Sequence, residues 1–217
     1  MHTLAIETAS EACSVALFDA DGALVARDHR VIGRGHAEAL VPMIAALPGK
    51  GHSTRILVSL GPGSFTGVRI GLATARALGL VWGSHVLGYP TLALVAAMAR
   101  AERPWAGVTV CMNGGHGEWF IGDFDAAGLP QHEAVSLTPD AASQRPGHAC
   151  VAGNRAEAWA QARPAGAAAV TALTLLPDAS HVLKIPPALL TRDLAPIYGR
   201  GPDATPARAQ ASTGAGP

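Results

Sequence analysis

The stretch Gly61-Pro62-Gly63-Ser64-Phe65-Thr66-Gly67-Val68-Arg69-Ile70-Gly71-Leu72 joins a strand-like run, Ile56 to Leu60, to a helical pattern of small residues. Glycine permits left-handed dihedrals and close backbone approach, and Pro62 fixes one turn dihedral. Ser64 or Thr66 supplies a cap for a helix opening near Gly67. The segment reads either as a turn built to receive an anion or a partner's backbone, or as a plain tight connection. It is not a Walker loop: the lysine followed by serine or threonine is missing, and Arg69 stands inside the helix instead. The glycine spacing of a dinucleotide-binding turn is absent too.

Outward from this turn, the chain alternates strands and helices. Leu4 to Thr8, Ser14 to Phe18 and Ala23 to Arg27 read as an antiparallel meander, its second link the turn Asp19-Ala20-Asp21-Gly22. A similar order recurs at Val108 to Met112 and Glu118 to Phe124, followed by Asp125-Ala126-Ala127-Gly128, so two related α/β halves are expected. Between the meanders, Ala37, Leu40, Val41, Ile44 and Leu47 form one apolar stripe, with Pro42 interrupting a helical hydrogen bond. Val68, Leu72, Ala75, Gly79 and Trp82 form another. A strand at Val86-Leu87 leads to Pro90, placed to open a third helix that ends near Arg100. Ala101 to Trp105 is the expected junction, which divides the chain into residues 1–102 and 103–200. The second half is broken by Pro139, Pro146 and Pro164, with a short strand at Ala149 to Ala152 leading through Gly153-Asn154-Arg155 into a helix over Ala156 to Ala162. Residues 201–217, rich in proline, alanine, glycine and threonine, are expected to be disordered.

The 217 residues suffice for one large domain or two small ones, and a hydrophobic content of 49% is ample for a core. With 15% charged residues and a formal net charge of +0, there is no general electrostatic reason to grip a phosphate backbone. Cys13, Cys111 and Cys150 lack zinc-site spacing and read as buried thiols. No basic leader or membrane-length apolar run is evident, which points to a cytoplasmic protein.

The motifs Ile6-Glu7-Thr8, Cys13-Ser14-Val15-Ala16-Leu17, His36-Ala37-Glu38, Pro42-Met43-Ile44 and, above all, Gly61 to Leu72 closely resemble the TsaB (YeaZ) family. Pro90-Thr91-Leu92, Gly117-Glu118 and Pro196-Ile197-Tyr198-Gly199-Arg200 follow in the family's order. The resemblance implies an actin-like ATPase / sugar-kinase (ASKHA) fold. It implies a non-catalytic subunit that binds and stabilises TsaD, the catalytic partner that forms threonylcarbamoyladenosine at adenosine 37 of tRNA. TsaE would join the assembled complex, the isolated chain would form a homodimer, and tRNA would be contacted mainly through the complex. No cofactor is expected in the isolated chain, with ATP or ADP and magnesium reserved for the assembly. The alternatives are an actin-fold kinase or ATPase and a self-associating structural protein.

Gly71, Ala75 and Gly79 recur four apart and stack on one helical face, where small side chains let another backbone pack closely. Read alone this face is ordinary core or interface. The resemblance places it, with Leu72 and Trp82 and with His36, Glu38, Leu40 and Ile44 of the first helix, in a partner-binding surface. Glu7, Gly61, Gly63, Ser64, Thr66, Gly67 and Arg69 are the candidate nucleotide or interface loop, and no metal-ligand or catalytic set is expected. Glu7 stands where the family usually has aspartate. The loop Asn113-Gly114-Gly115-His116-Gly117 reads as a tight hairpin and lacks the arginines common in the family there. Arg76 and Arg200, like Arg69, are candidates to face a phosphate or an acidic partner, or to be solvated.

Overall fold

The computed structural model describes residues 2–199, so Arg200 and the expected disordered tail lie outside the described residues. The first meander is β1 (Thr3–Glu7), β2 (Ala12–Phe18) and β3 (Leu24–Val31), followed by α1 (His36–Ala46), β4 (Arg55–Ser59), α2 (Phe65–Trp82) and β5 (His85–Tyr89). The strand order is β3-β2-β1-β4-β5: the meander pairs antiparallel, while β4 and β5 join β1 in parallel after helical crossovers. After α3 (Thr91–Glu102) the pattern repeats in β6 (Gly107–Gly115), β7 (Glu118–Asp125), β8 (Val135–Leu137), α4 (Pro139–Ser143), β9 (Cys150–Ala152), α5 (Ala156–Gln161) and β10 (Thr171–Leu173). Its order, β8-β7-β6-β9-β10, has the same parallel and antiparallel pairings. Two mixed sheets of one topology make this an α/β chain of two related halves, as the repeated meander leads one to expect.

Side-chain alternation along the strands sorts the apolar residues into layers. Leu4 and Ile6 of β1, Val15 and Leu17 of β2, and Ile56 and Val58 of β4 face α1 and α2. Their neighbours Ala5, Ala16 and Leu57 face the other way, onto α3. In the second sheet Val108, Val110, Phe120 and Phe124 also face α3, while Cys111, Trp119 and Ile121 face α4 and α5. Every residue of α3 from Thr91 to Ala99 is buried, as a helix apolar on all sides must be when it lies between two sheets.

The chain beyond β10 returns to the first half. A turn at Ala179–Lys184 packs on α3 and on β1, β2 and β3. Thr191 bridges Gly88, and Ile197 N–H donates to Leu60 O at 2.7 Å. The alanine run at 165–170 forms no helix, since Gly166 takes φ +83° within it. All three cysteines are buried and free. Among the described residues no helix is long and apolar enough to cross a membrane.

Helix α2 lays its small-residue face on the sheet. Gly71 abuts Thr8 Oγ1, Ala75 is fully buried, and Gly79 abuts the Val86 side chain. Replacing Ala75 with tryptophan therefore overpacks the chain's own core and should lower stability by about 1–3 kcal/mol or more. Denaturant unfolding checks this, and an unchanged midpoint would contradict the packing described.

Candidate functional site

The glycine turn makes its close approach to its own chain. Gly61 takes φ +89°, and a side chain there would press on Ile197 O. A Cβ on Gly63 would collide with Ala9 O, and one on Gly67 with Thr8 O. The space saved is used for hydrogen bonds: Ser64 N–H donates to Ala9 O at 2.7 Å and Thr8 Oγ1 to Gly67 O at 2.8 Å. Ser64 is the N-cap of α2, its Oγ accepting from Gly67 N–H at 3.2 Å, while Thr66 is exposed.

Most of the expected partner-facing residues are packed inside the chain itself. Gly71, Leu72, Ala75 and Gly79 cover β1, β4 and β5 of the same chain, so no second molecule reaches that face. Leu40 and Ile44 are equally buried, and His36 is buried with Nε2 3.3 Å from Ala12 O. Trp82 is half-buried with its ring centroid 5.1 Å from that of His52, and Glu38 stays exposed. The surface left open is the opposite side of the two helices. It carries Ala37, Val41 and Ala45 on α1 and Ala73, Ala77, Leu80 and Val81 on α2, with Leu80 87% and Val81 79% exposed. Of the two readings open for this small-residue stripe, core or interface, the packing seen within the chain is core.

Between the two halves lies a cleft of about 860 Å³. Ser10, Glu11, Ser64, Phe65 and Arg69 line it from the first half, and Met112 to His116, Phe120 and Asn154 from the second, with Tyr198 at the rim. Arg69 is engaged: its guanidinium lies 3.5 Å over the Phe65 ring and donates to Tyr198 Oη at 3.2 Å. Arg76 donates to Leu194 O at 3.1 Å. Residues 113–117 form the expected hairpin between β6 and β7, with Gly115 at φ +73° and Gly117 at φ +79°. His116 there takes φ +50° and faces the cleft.

As a seat for a magnesium nucleotide the lining does not fit. Its carboxylate, Glu11, has both oxygens held by Asn154 Nδ2, at 2.8 and 3.0 Å. Glu7 is fully buried and lines no part of the cleft, and among the described residues no three His, Cys, Asp or Glu side chains converge as metal ligands. The Glu11–Asn154 contact was missed in the sequence. Its one signal was Gly153-Asn154-Arg155 between a strand and a helix. The ring pair Phe65–Tyr198, with centroids 5.6 Å apart, joins residues too distant in sequence to be paired by pattern.

A family model described as "TsaD: tRNA N6-adenosine threonylcarbamoyltransferase" matches residues 30–171. The tRNA threonylcarbamoyladenosine biosynthesis protein TsaB of Escherichia coli K12 is 32% identical over 200 residues, which cover 85% of each chain. Among solved structures, YeaZ from Pseudomonas aeruginosa superposes with a TM-score of 0.75 at 26% identity, covering 91% of this chain and 99% of its own. A second, described as an uncharacterized protein with similarity to peptidase YeaZ from Pseudomonas aeruginosa, gives 0.70 at 27% identity, with 85% and 89% covered.

Glu7 is a fully buried carboxyl at the end of β1. Its Oε1 accepts from Ala9 N–H at 2.7 Å, and Tyr89 Oη lies 3.3 Å from Oε2 and 2.9 Å from Ile6 O. Burial raises the carboxyl from its ordinary 4.5 to about 7, and hydrogen bonds offset only part of this. Tyr89, buried beside Glu7, is pushed above its ordinary 10. The tyrosine has one proton for two acceptors, so a protonated Glu7 that donates to Tyr89 Oη while Tyr89 donates to Ile6 O satisfies both. The folded protein thus binds a proton that the unfolded chain has released, and stability is fully present below about 4.5 and lost as pH rises through about 7. Glu7→Gln, which keeps both hydrogen bonds without charge, should abolish that slope and exceed wild type by about 3 kcal/mol at pH 8. Unfolding free energies of both proteins across pH 4.5–8.5 check this, and parallel curves would contradict it.

Proposed function

This chain belongs to the TsaB (YeaZ) family, and on that premise we propose that it binds TsaD through the open side of α1 and α2. It is a non-catalytic subunit in the formation of threonylcarbamoyladenosine at adenosine 37 of tRNA. TsaD carries the transfer to N6 of the adenosine, and this chain stabilises TsaD in the form that performs it.

The carrying observation is the exposed row Ala73, Ala77, Leu80 and Val81 beside Ala37, Val41 and Ala45. Large apolar groups left in water at 79% and 87% exposure cost free energy that a partner recovers, and the intervening alanines let another helix approach closely. The same row would close a homodimer of the free chain, so partner and self-association compete for it. Partner binding is assigned to residues 1–102, with residues 103–200 as the second functional unit and TsaE joining the assembled complex. Support for a non-catalytic role comes from the cleft, where the carboxylate and the arginine are both committed to neighbours. A nucleotide with magnesium used by the assembly would then be held by groups the partner brings. Zero net charge fits contact with tRNA through the complex and not through this chain alone. The work is placed in the cytoplasm, with the tRNA.

Leu80→Arg combined with Val81→Arg should leave unfolding unchanged, since both positions are exposed, and weaken association with the cognate TsaD by roughly 30-fold or more. Calorimetry measures the affinity and reconstituted tRNA modification the consequence. Undiminished binding by the folded double variant would refute the surface.

A further inference from the structure

We propose that Glu11 and Asn154 form a latch that holds the two halves of the molecule closed over the cleft. The halves are joined at the base by the apolar layer around α3. At the mouth, the turn between β1 and β2 meets the turn between β9 and α5 through these two side chains. Each arm is anchored to its own sheet. The Glu11 carbonyl accepts from Ile32 N–H at 3.0 Å and Gly33 N–H at 2.9 Å, at the end of β3. On the other side Gly153 takes φ +123° and lies so close to Cys111 O that a Cβ would collide with it, which seats Asn154 against β6.

The amide is also pre-oriented. Asn113 N–H donates to Asn154 Oδ1 at 2.9 Å, and because a backbone N–H only donates, the oxygen must face β6 and the NH₂ must face Glu11. One Nδ2–H is then shared between the two carboxylate oxygens, with Nδ2 at 2.8 and 3.0 Å from them. Glu11 has no ion pair among the described residues. A carboxylate held by a neutral amide gains a charge-assisted hydrogen bond without the cost of burying a second charge. Such a contact closes the cleft firmly yet opens without stranding a cation, which suits a gate between two rigid layers.

The test uses the full chain with spin labels at Arg34→Cys and Gln161→Cys, exposed positions on opposite halves, the native cysteines being buried. The unaltered latch should give one narrow distance distribution. Asn154→Ala should lengthen and broaden it, raising the open fraction roughly tenfold. Glu11→Ala should do the same, the double variant should add nothing further, and Asn154→Asp, which sets two carboxylates together, should open the cleft most. An unchanged distribution in folded Asn154→Ala, or additive effects in the double variant, would overturn the latch. So would unfolding of Asn154→Ala, because a contact at the mouth leaves the three apolar layers intact.

Discussion

The approach of α2 to the end of β1 is the contact on which the rest of the molecule depends. Two glycines, Gly63 and Gly67, sit where any side chain would strike the carbonyls of Ala9 and Thr8. Ser64 and Thr8 convert that proximity into hydrogen bonds and a helix cap. Once the first turn of α2 is stapled there, the small residues at 71, 75 and 79 must lie on the sheet, and the opposite side of the helix must face outward. The glycine turn therefore acts at a distance: it decides which side of α2 remains available.

The second organising element is α3, the central layer between two sheets of one topology. Because both sheets press on one apolar helix, the halves meet firmly at their base and leave a cleft at the opposite edge. The chain beyond β10 returns across this boundary. Asp178 pairs with Arg27 at 3.1 Å, and Ser14 Oγ accepts from Ala179 N–H at 3.0 Å. Two pairs of polar groups in the cleft lining are bonded to each other, Glu11 with Asn154 and Arg69 with Tyr198.

The fold was legible because its signals are local. The short apolar runs of β1, β2, β6 and β7, the paired Asp-to-Gly turns and the apolar stripes all lie within short windows, and the meander appeared twice. Periodicity found the α2 stripe but not its counterpart, since Gly71, Ala75 and Gly79 look alike whether they meet a sheet or a second molecule. The thin elements β8, α4 and β10 escaped because three to five residues carry too little pattern. Glu11 with Asn154, and Phe65 with Tyr198, are more than a hundred residues apart, and only the folded topology brings them together.

The central claim is that partner recognition belongs to the outer side of α1 and α2 and not to the glycine turn or the cleft. Hydrogen exchange by mass spectrometry, comparing the free chain with the complex it forms with purified TsaD, tests it most directly. Added protection should concentrate on peptides spanning residues 37–46 and 73–82, with those spanning 9–11 and 113–117 exchanging as in the free chain. Protection confined to the cleft-lining peptides, with both helices unchanged, would contradict the account.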